Sequence, residues 1–420
     1  MLLRKLYFIR KVLKQQWMKE NDFKNLQNRK ARSIVRHAFQ NVPFYRKKWK
    51  EAGVRLEDIK TVEDLDKLPI VTRKEILQNL DFLIAENLKR WYYVGDFVKR
   101  ATSGTTGNPL EMVFDKRCWD YYDAVYLRAL MAAGYNPRKP LVYYWHEKFK
   151  PTLYNRLGFM NKIFIKSSLS EDEQLNILQR LNTEYIYYFG GILFSIAKKM
   201  NYLGIEIKPK VLITHAEVLS KRMRSVIEKA FNTEVFDQYG TTEFDRLGWE
   251  CDLHTGYHVD ADSIHLQILK DNEQVSAGEK GSVVITGFSN FLLPLIRYDI
   301  GDLAVVSSEK CSCGRVLPLI KGIEGRRSDV IDINSRIFTT KELGDVLADV
   351  KEVMKFRFVV EKGKRLKIEL VLLKEGKDVL EEIENRIKES CGRNAKFSLI
   401  PVKEIPKGER GKRNIVKIIE

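Results

Sequence analysis

Hydrophobic positions in the first 90 residues recur at helical spacing, beginning with Leu2, Leu6, Ile9, Leu13 and Trp17. Arg4, Lys5, Arg10, Lys11 and Lys14 flank that stripe, so the pattern predicts a basic amphipathic helix. Asn41-Val-Pro-Phe-Tyr45 breaks the helical pattern, and Leu68-Pro-Ile-Val-Thr72 leads into another helix start. From about residue 100 to 290 the spacing changes. Short apolar runs at Leu141–Trp145, Val211–Ile213 and Val283–Thr286 predict buried strands, while Glu173–Leu181 and Lys221–Phe231 predict helices. Strands alternating with helices imply α/β layers.

Beyond Gly325-Arg326 the pattern becomes that of a small α+β unit. A helix is expected over Thr340–Val350, then a hairpin of Phe356–Val360 and Leu366–Leu373 joined across Lys362-Gly363-Lys364. A helix marked by Val379, Ile383 and Ile387 follows, with a last strand at Phe397–Val402. The expected fold is therefore α/β, with a large multi-layered N-terminal domain, residues 1–327, and a small C-terminal domain, residues 328–420.

Charge sharpens the reading of the first helix. The 420 residues carry a net charge of +17, yet most of the excess lies in residues 1–50, which hold 15 Lys and Arg against 2 Asp and Glu. The rest is nearly balanced, which argues against the basic binding face of a nucleic-acid-binding protein. A basic amphipathic helix at residues 1–17 fits peripheral contact with an anionic membrane surface, or a stripe docked on the protein body with its charges in water; the pattern suits both. No run of about 18 apolar residues exists to span a bilayer, and charge interrupts the N-terminus too often for a secretory signal. The expected location is the cytoplasm, with membrane association at its cytoplasmic face as an option.

Four short patches carry the candidate chemistry. Thr102-Ser103-Gly104-Thr105-Thr106-Gly107 offers hydroxyls and backbone N–H groups to phosphate oxygens, with glycines that permit close approach. Asn108 and Pro109 follow, so this is not the phosphate loop that ends in Gly-Lys-Ser/Thr. Alone, such a turn also arises by chance. Tyr239-Gly240-Thr241-Thr242-Glu243, Tyr298-Asp-Ile-Gly-Asp302 and Gly411-Lys412-Arg413 follow in order, supplying an aromatic ring, carboxylates for a metal and a ribose, and a cation. The ordered set describes a site for ATP.

These patches, with Asn41–Tyr45, Pro294-Leu-Ile-Arg-Tyr298, Cys311-Ser-Cys-Gly-Arg315 and Gly325-Arg326, run through nearly the whole chain. In them the sequence resembles the adenylate-forming ligases, and among these the phenylacetate–CoA ligase and capsule-biosynthesis (CapK-like) branch. The resemblance implies two steps: a carboxylate attacks the α-phosphorus of ATP to give an acyl-adenylate and pyrophosphate, and an acceptor then takes the acyl group. It implies that Tyr239 stacks on adenine beside Gly240, that Thr242 bonds the α-phosphate and that Glu243 holds Mg²⁺. Asp302 would accept the ribose hydroxyls, Arg326 would contact the nucleotide near a hinge, and Glu217 would line the adenine pocket. Lys412 is the implied adenylation lysine, carried by a small domain that moves between the half-reactions; a solvated basic end is the plainer reading, and Lys407 is the backup. The hinge position falls at Ser328, where the family carries an acidic residue, with Asp329 next.

Cys251, Cys311 and Cys313 with one histidine make the ligand count of a closed zinc site, although one residue between cysteines is a short spacing. Small buried cysteines are the alternative. Branch members with zinc at matching positions point to His258, and His254 is the local alternative; a structural Zn²⁺ is expected. Tyr187–Gly191 and Tyr143–Trp145 are candidate walls for the acyl group, with His215 and His146 as lining groups, and their aromatic content suits an aromatic acid. CoA is the expected acceptor, with an amino sugar or polysaccharide precursor as the rival. A zinc-containing nucleic-acid-binding protein is the remaining alternative class.

Overall fold

Pro43 divides the helical start of the chain. Helix Glu20–Asn41 stops at Val42, whose backbone is extended (φ −118°, ψ 105°), and Pro43 opens helix Pro43–Glu51 at a position where its missing N–H costs nothing. The computed structural model describes residues 2–101, 109–148, 151–361, 366–408 and 410–419. It separates the chain into two units, Met1–Ala132 with Tyr239–Gly322 and Ala133–Gln238 with Ile323–Glu420.

In the first unit, helix Leu2–Gln15 packs beside helix Lys116–Ala132. Its buried face is Lys5, Phe8, Val12 and Gln15, not the Leu2/Leu6/Ile9/Leu13/Trp17 stripe expected from spacing. Phe8 packs edge-on against Tyr121, and on the same side Arg4 bonds Asp120 at 2.5 Å and Lys5 pairs with Asp123. Leu6 and Trp17 are left about half exposed. Further in, fully buried Arg128 donates to Asp260 at 2.6 Å and Asp262 at 2.7 Å, and Trp249 Nε1 donates to Asp260 at 2.9 Å. Antiparallel strands Ile264–Lys270, Lys280–Gly287 and Tyr298–Val306 contain the strand expected at Val283–Thr286.

The second unit is built on parallel strands. Leu141–Trp145 lies between Lys162–Lys166 and Tyr185–Phe189, followed by Val211–His215 and the Val235–Gln238 part of strand Val235–Thr241. Helices Glu171–Leu181 and Lys221–Phe231 begin at capping serines, Ser170 and Ser220, whose hydroxyls accept backbone N–H groups. The C-terminal sheet runs in the order Phe397–Pro401, Leu366–Leu372, Val353–Glu361, Val416–Ile419, with helix Lys377–Cys391 burying Val379, Ile383 and Ile387. Strand Val416–Ile419 corrects the expectation that residues 397–402 are the last strand. It pairs in parallel with Val353–Glu361, a partner too distant in sequence for local pattern to reveal. The helix expected over 340–350 ends at Val346. Residue 328 falls inside this unit, and the C-terminal sheet shares one hydrophobic cluster with Phe194, Ile227 and Phe231.

Candidate active site

Antiparallel strands Phe97–Ala101 and Glu111–Asp115 meet at Ala101 and Glu111, and the segment between them contains Thr102, Ser103, Gly104, Thr105, Thr106 and Gly107. Those six residues lie outside the described part of the chain.

The next two patches converge within the first unit. The Tyr239 hydroxyl donates to Asp302 Oδ2 at 2.6 Å, joining residues 63 positions apart, and both side chains are buried. Gly240, Thr241, Thr242 and Glu243 continue from Tyr239. A Cβ on Gly240 would collide with the Asp245 carbonyl oxygen, so the room made by this glycine is taken up by the chain's own turn. Glu243 is buried, with Oε1 3.5 Å from the Tyr298 hydroxyl and 4.0 Å from Arg73 Nη1.

Buried anchors hold this geometry. The Tyr45 hydroxyl accepts from Ile296 N–H at 2.9 Å and donates to Pro294 O at 3.1 Å, tying Asn41–Tyr45 to Pro294–Tyr298. Removing that phenol from water raises its pKa. Arg297 sits at φ 48°, a strained value for arginine, and is held there by its guanidinium on the Asp66 and Leu68 carbonyls, each at 2.5 Å. Val71 N–H donates to Arg297 O at 2.8 Å, which places Arg73, at the start of helix Arg73–Gln78, beside Glu243. Sequence reasoning registered only a helix start after Leu68–Thr72; a cation at the first position of that helix was the available signal for Arg73.

In the second unit Lys412 occupies a turn closed by two backbone bonds, Gly408 N–H to Lys412 O at 2.9 Å and Gly411 N–H to Gly408 O at 2.8 Å. Glu217 reaches this turn: one carboxylate oxygen accepts from Arg413 N–H and the other from Gly191 N–H at 2.6 Å. Burial raises the Glu217 pKa against the pull of Arg413. Lys407 is committed elsewhere, donating to Leu169 O at 2.7 Å and Ser167 O at 3.2 Å. Arg326 is exposed on an extended backbone, and the Ser328 hydroxyl bonds Asp329 at 2.8 Å. Tyr143 stacks on Tyr187 with ring centroids 4.9 Å apart, and the His215 ring lies 3.9 Å from Tyr187 and 5.9 Å from Trp145. His146 follows, its ring 4.9 Å from Trp145.

The cysteines form a second cluster in the first unit. One ligand atom from each of Cys251, His258, Cys311 and Cys313 lies within 4.8 Å of the others. Cys251 Sγ and Cys311 Sγ are 3.6 Å apart, and Cys313 Sγ is 3.4 Å from His258 Nε2. A tetrahedron with Zn–S bonds of about 2.3 Å has S–S edges of about 3.8 Å, so the set fits zinc. His258 Nδ1 faces Leu317 O at 3.4 Å, which leaves Nε2 toward the sulfurs, and burial pushes its pKa down to about 4, keeping the imidazole neutral as a ligand must be. Burial beside two other thiols pushes Cys251 up to about 12. Thr255 donates to Cys311 Sγ at 3.3 Å. His254 lies apart, 3.5 Å from Glu250.

No protein-family model matches the chain. Among curated proteins, the phenylacetate–coenzyme A ligase of Thermus thermophilus is 25% identical, covering 92% of this chain and 94% of its own length. Protein CapK of Staphylococcus aureus is also 25% identical, covering 94% of this chain and 88% of itself. Among solved structures, 2-hydroxyisobutyryl-CoA ligase in the postadenylation state superposes with a TM-score of 0.79 over 97% of this chain and 91% of that one, at 16% identity. The likeness is to the adenylate-forming ligases, on the phenylacetate–CoA ligase and CapK branch. The α/β fold with a small C-terminal α+β domain is the ligase fold. Within it, Tyr239 pairs with Asp302, Glu243 lies near Tyr298 and Arg73, Lys412 lies on a pinned turn, and Cys251, His258, Cys311 and Cys313 form a compact thiol–imidazole cluster. Across the described residues no helix is long and apolar enough to cross a membrane.

Proposed function

We propose that the protein is an ATP-dependent carboxylic acid ligase. The carboxylate oxygen attacks the α-phosphorus of ATP, the bond to the bridging oxygen breaks and pyrophosphate leaves. The sulfur of CoA then attacks the acyl carbon, AMP leaves, and the thiol proton goes to solvent. The observation that carries this reading is the bond between Tyr239 and Asp302, which brings an aromatic ring and a carboxylate from separate motifs into one site beside Glu243. The ring would stack on adenine, and Asp302 would accept from the ribose. Thr242 would bond the α-phosphate, with Gly240 and Thr241 shaping the turn. Glu243 would hold Mg²⁺, which would offset phosphate charge. Lys412 would stabilise the charge that builds between carboxylate and α-phosphate in the transition state. Thr102–Gly107 would cradle phosphates, Arg326 would reach the nucleotide, and motion of residues 328–420 would bring the lysine in and remove it. The stacked Tyr143, Tyr187 and His215 rings support an aromatic acid.

A second reading concerns the acceptor alone: an amino sugar or other polysaccharide precursor in place of CoA, as the resemblance to the capsule-biosynthesis branch implies. Cys251, His258, Cys311 and Cys313 would hold a structural Zn²⁺ that fastens residues 251–258 to 311–313. The exposed Leu3, Leu6, Tyr7 and Trp17 beside Arg10 and Lys14 support peripheral contact with an anionic membrane at the cytoplasmic face. The test is a panel of carboxylic acids, phenylacetate included, assayed for exchange of labelled pyrophosphate into ATP with Mg²⁺. Thioester formation is then followed with CoA. Exchange with at least one acid is expected; none across the panel rejects the ligase reading, and exchange without thioester turns the acceptor toward the sugar.

A further inference from the structure

Glu217 is equipped for a task other than lining a nucleotide. It follows strand Val211–His215 and faces the start of helix Gly190–Leu203. Gly191 N–H, one of the helix donors that has no partner inside the helix, donates to Glu217 Oε2 at 2.6 Å. The other carboxylate oxygen accepts Arg413 N–H. The Arg413 guanidinium returns to the same helix end, donating to Gly191 O at 2.6 Å and to the Ser195 hydroxyl. Gly191, Glu217 and Arg413 thus form a closed ring of hydrogen bonds.

The fit at both ends is close. A Cβ on Gly191 would stand 2.7 Å from Glu217 Oε2, so only glycine lets the carboxylate lie against the helix start. Gly411 has φ 77°, and a Cβ there would overlap Ser167; the Tyr144 hydroxyl donates to Gly411 O at 3.0 Å. Lys407, on the Ser167 and Leu169 carbonyls, fixes the other end of the turn. Lys412 stands between these fastenings. Both Glu217 oxygens accept backbone N–H groups, one from the helix start and one from Arg413, so the carboxylate's orientation is set by these two segments.

We infer that Glu217 and Arg413 are a latch that fixes the turn bearing Lys412, so that Glu217 is a positioning residue for the lysine and not a wall of the adenine pocket. This rests on the reading of Lys412 as the adenylation lysine.

The experiment uses the full chain with Glu217→Gln, Ser195→Ala and Lys412→Ala. Glutamine keeps one acceptor but turns an NH₂ toward an N–H donor. Three quantities are read: tryptic cleavage after Arg410, Lys412 and Arg413 by intact mass, pyrophosphate exchange with the acid found in the panel, and thioester formation from supplied acyl-adenylate. Glu217→Gln is expected to speed cleavage roughly tenfold. It should lower the exchange kcat about 10²-fold through misplacement of the lysine, with the KM for ATP unchanged and thioester formation retained as proof of folding. Ser195→Ala, which removes only one guanidinium partner, should move cleavage and kcat the same way by a smaller factor, and it decides the matter should Glu217→Gln fail to fold. A raised KM for ATP with cleavage and kcat unchanged would make Glu217 an adenine contact and overturn the latch. Unchanged exchange in Lys412→Ala overturns the lysine reading instead, while the cleavage rates still judge the latch.

Discussion

The anchors around Glu243 and those around Lys412 differ in kind. Behind Glu243 the fastenings are buried: Tyr45 and Tyr298 are almost wholly out of water, and Arg297 spends its guanidinium on two carbonyls in a strained backbone conformation. Around Lys412 they are polar and half-buried, a carboxylate, a guanidinium and carbonyl oxygens on a turn that water reaches. Buried hydrogen bonds are costly to break because their groups lose water as well as partner. Half-buried ones can be traded for water at small cost. The first arrangement suits a surface that must be ready before ligand arrives, and the second suits a group that must be held and then released.

Breaking this contrast at its most sensitive point means removing the cation itself. Lys412→Ala should lower pyrophosphate exchange about 10³-fold, a loss of some 4 kcal/mol of transition-state stabilisation, while thioester formation from a supplied adenylate persists. A comparable loss on the buried side is one of folding. Arg128→Leu strands two carboxylates and should cost about 3–5 kcal/mol in urea unfolding.

The motif order was legible because each patch needs particular residue types close together in sequence. Those residues meet in the Tyr239–Asp302 pair and in the cysteine cluster with His258, on strands Val235–Thr241, Tyr257–Val259 and Tyr298–Val306 that the hydrophobic pattern does not pick out. What escaped were contacts made by distant charges. Arg4 and Lys5 pair with Asp120 and Asp123 on the buried side of the first helix, which is not the stripe that spacing suggested. Arg413 N–H bonds Glu217 across 196 residues, a contact that motif position does not suggest. Strand Val416–Ile419 escaped because its partner lies some 60 residues away.

Smaller effects sharpen the comparison. Cys313→Ser should lower the zinc content measured by elemental analysis of the purified chain and the thermal midpoint with it, whereas Cys118→Ser, outside the cluster, should leave the zinc content unchanged. Tyr45→Phe removes two hydrogen bonds behind Pro294–Tyr298 and should cost about 1–3 kcal/mol in urea unfolding. The pH dependence is gentler still. Burial holds His265 down at about 4, so between its ordinary value and that pH the unfolded chain binds a proton the folded one does not. Its contribution is complete above about pH 6.5 and is lost as pH falls toward 4. His265→Gln should flatten the fall of the thermal midpoint across that window.

On the proposed ligase reading, the bond between Tyr239 and Asp302 would make recognition of base and sugar a single event. The phenol donates to the carboxylate, so a change to the ring would be felt at a ribose held there. Tyr239→Phe would keep the flat surface yet loosen the grip on the 2′- and 3′-hydroxyls, narrowing the preference for ATP over its deoxy analogue.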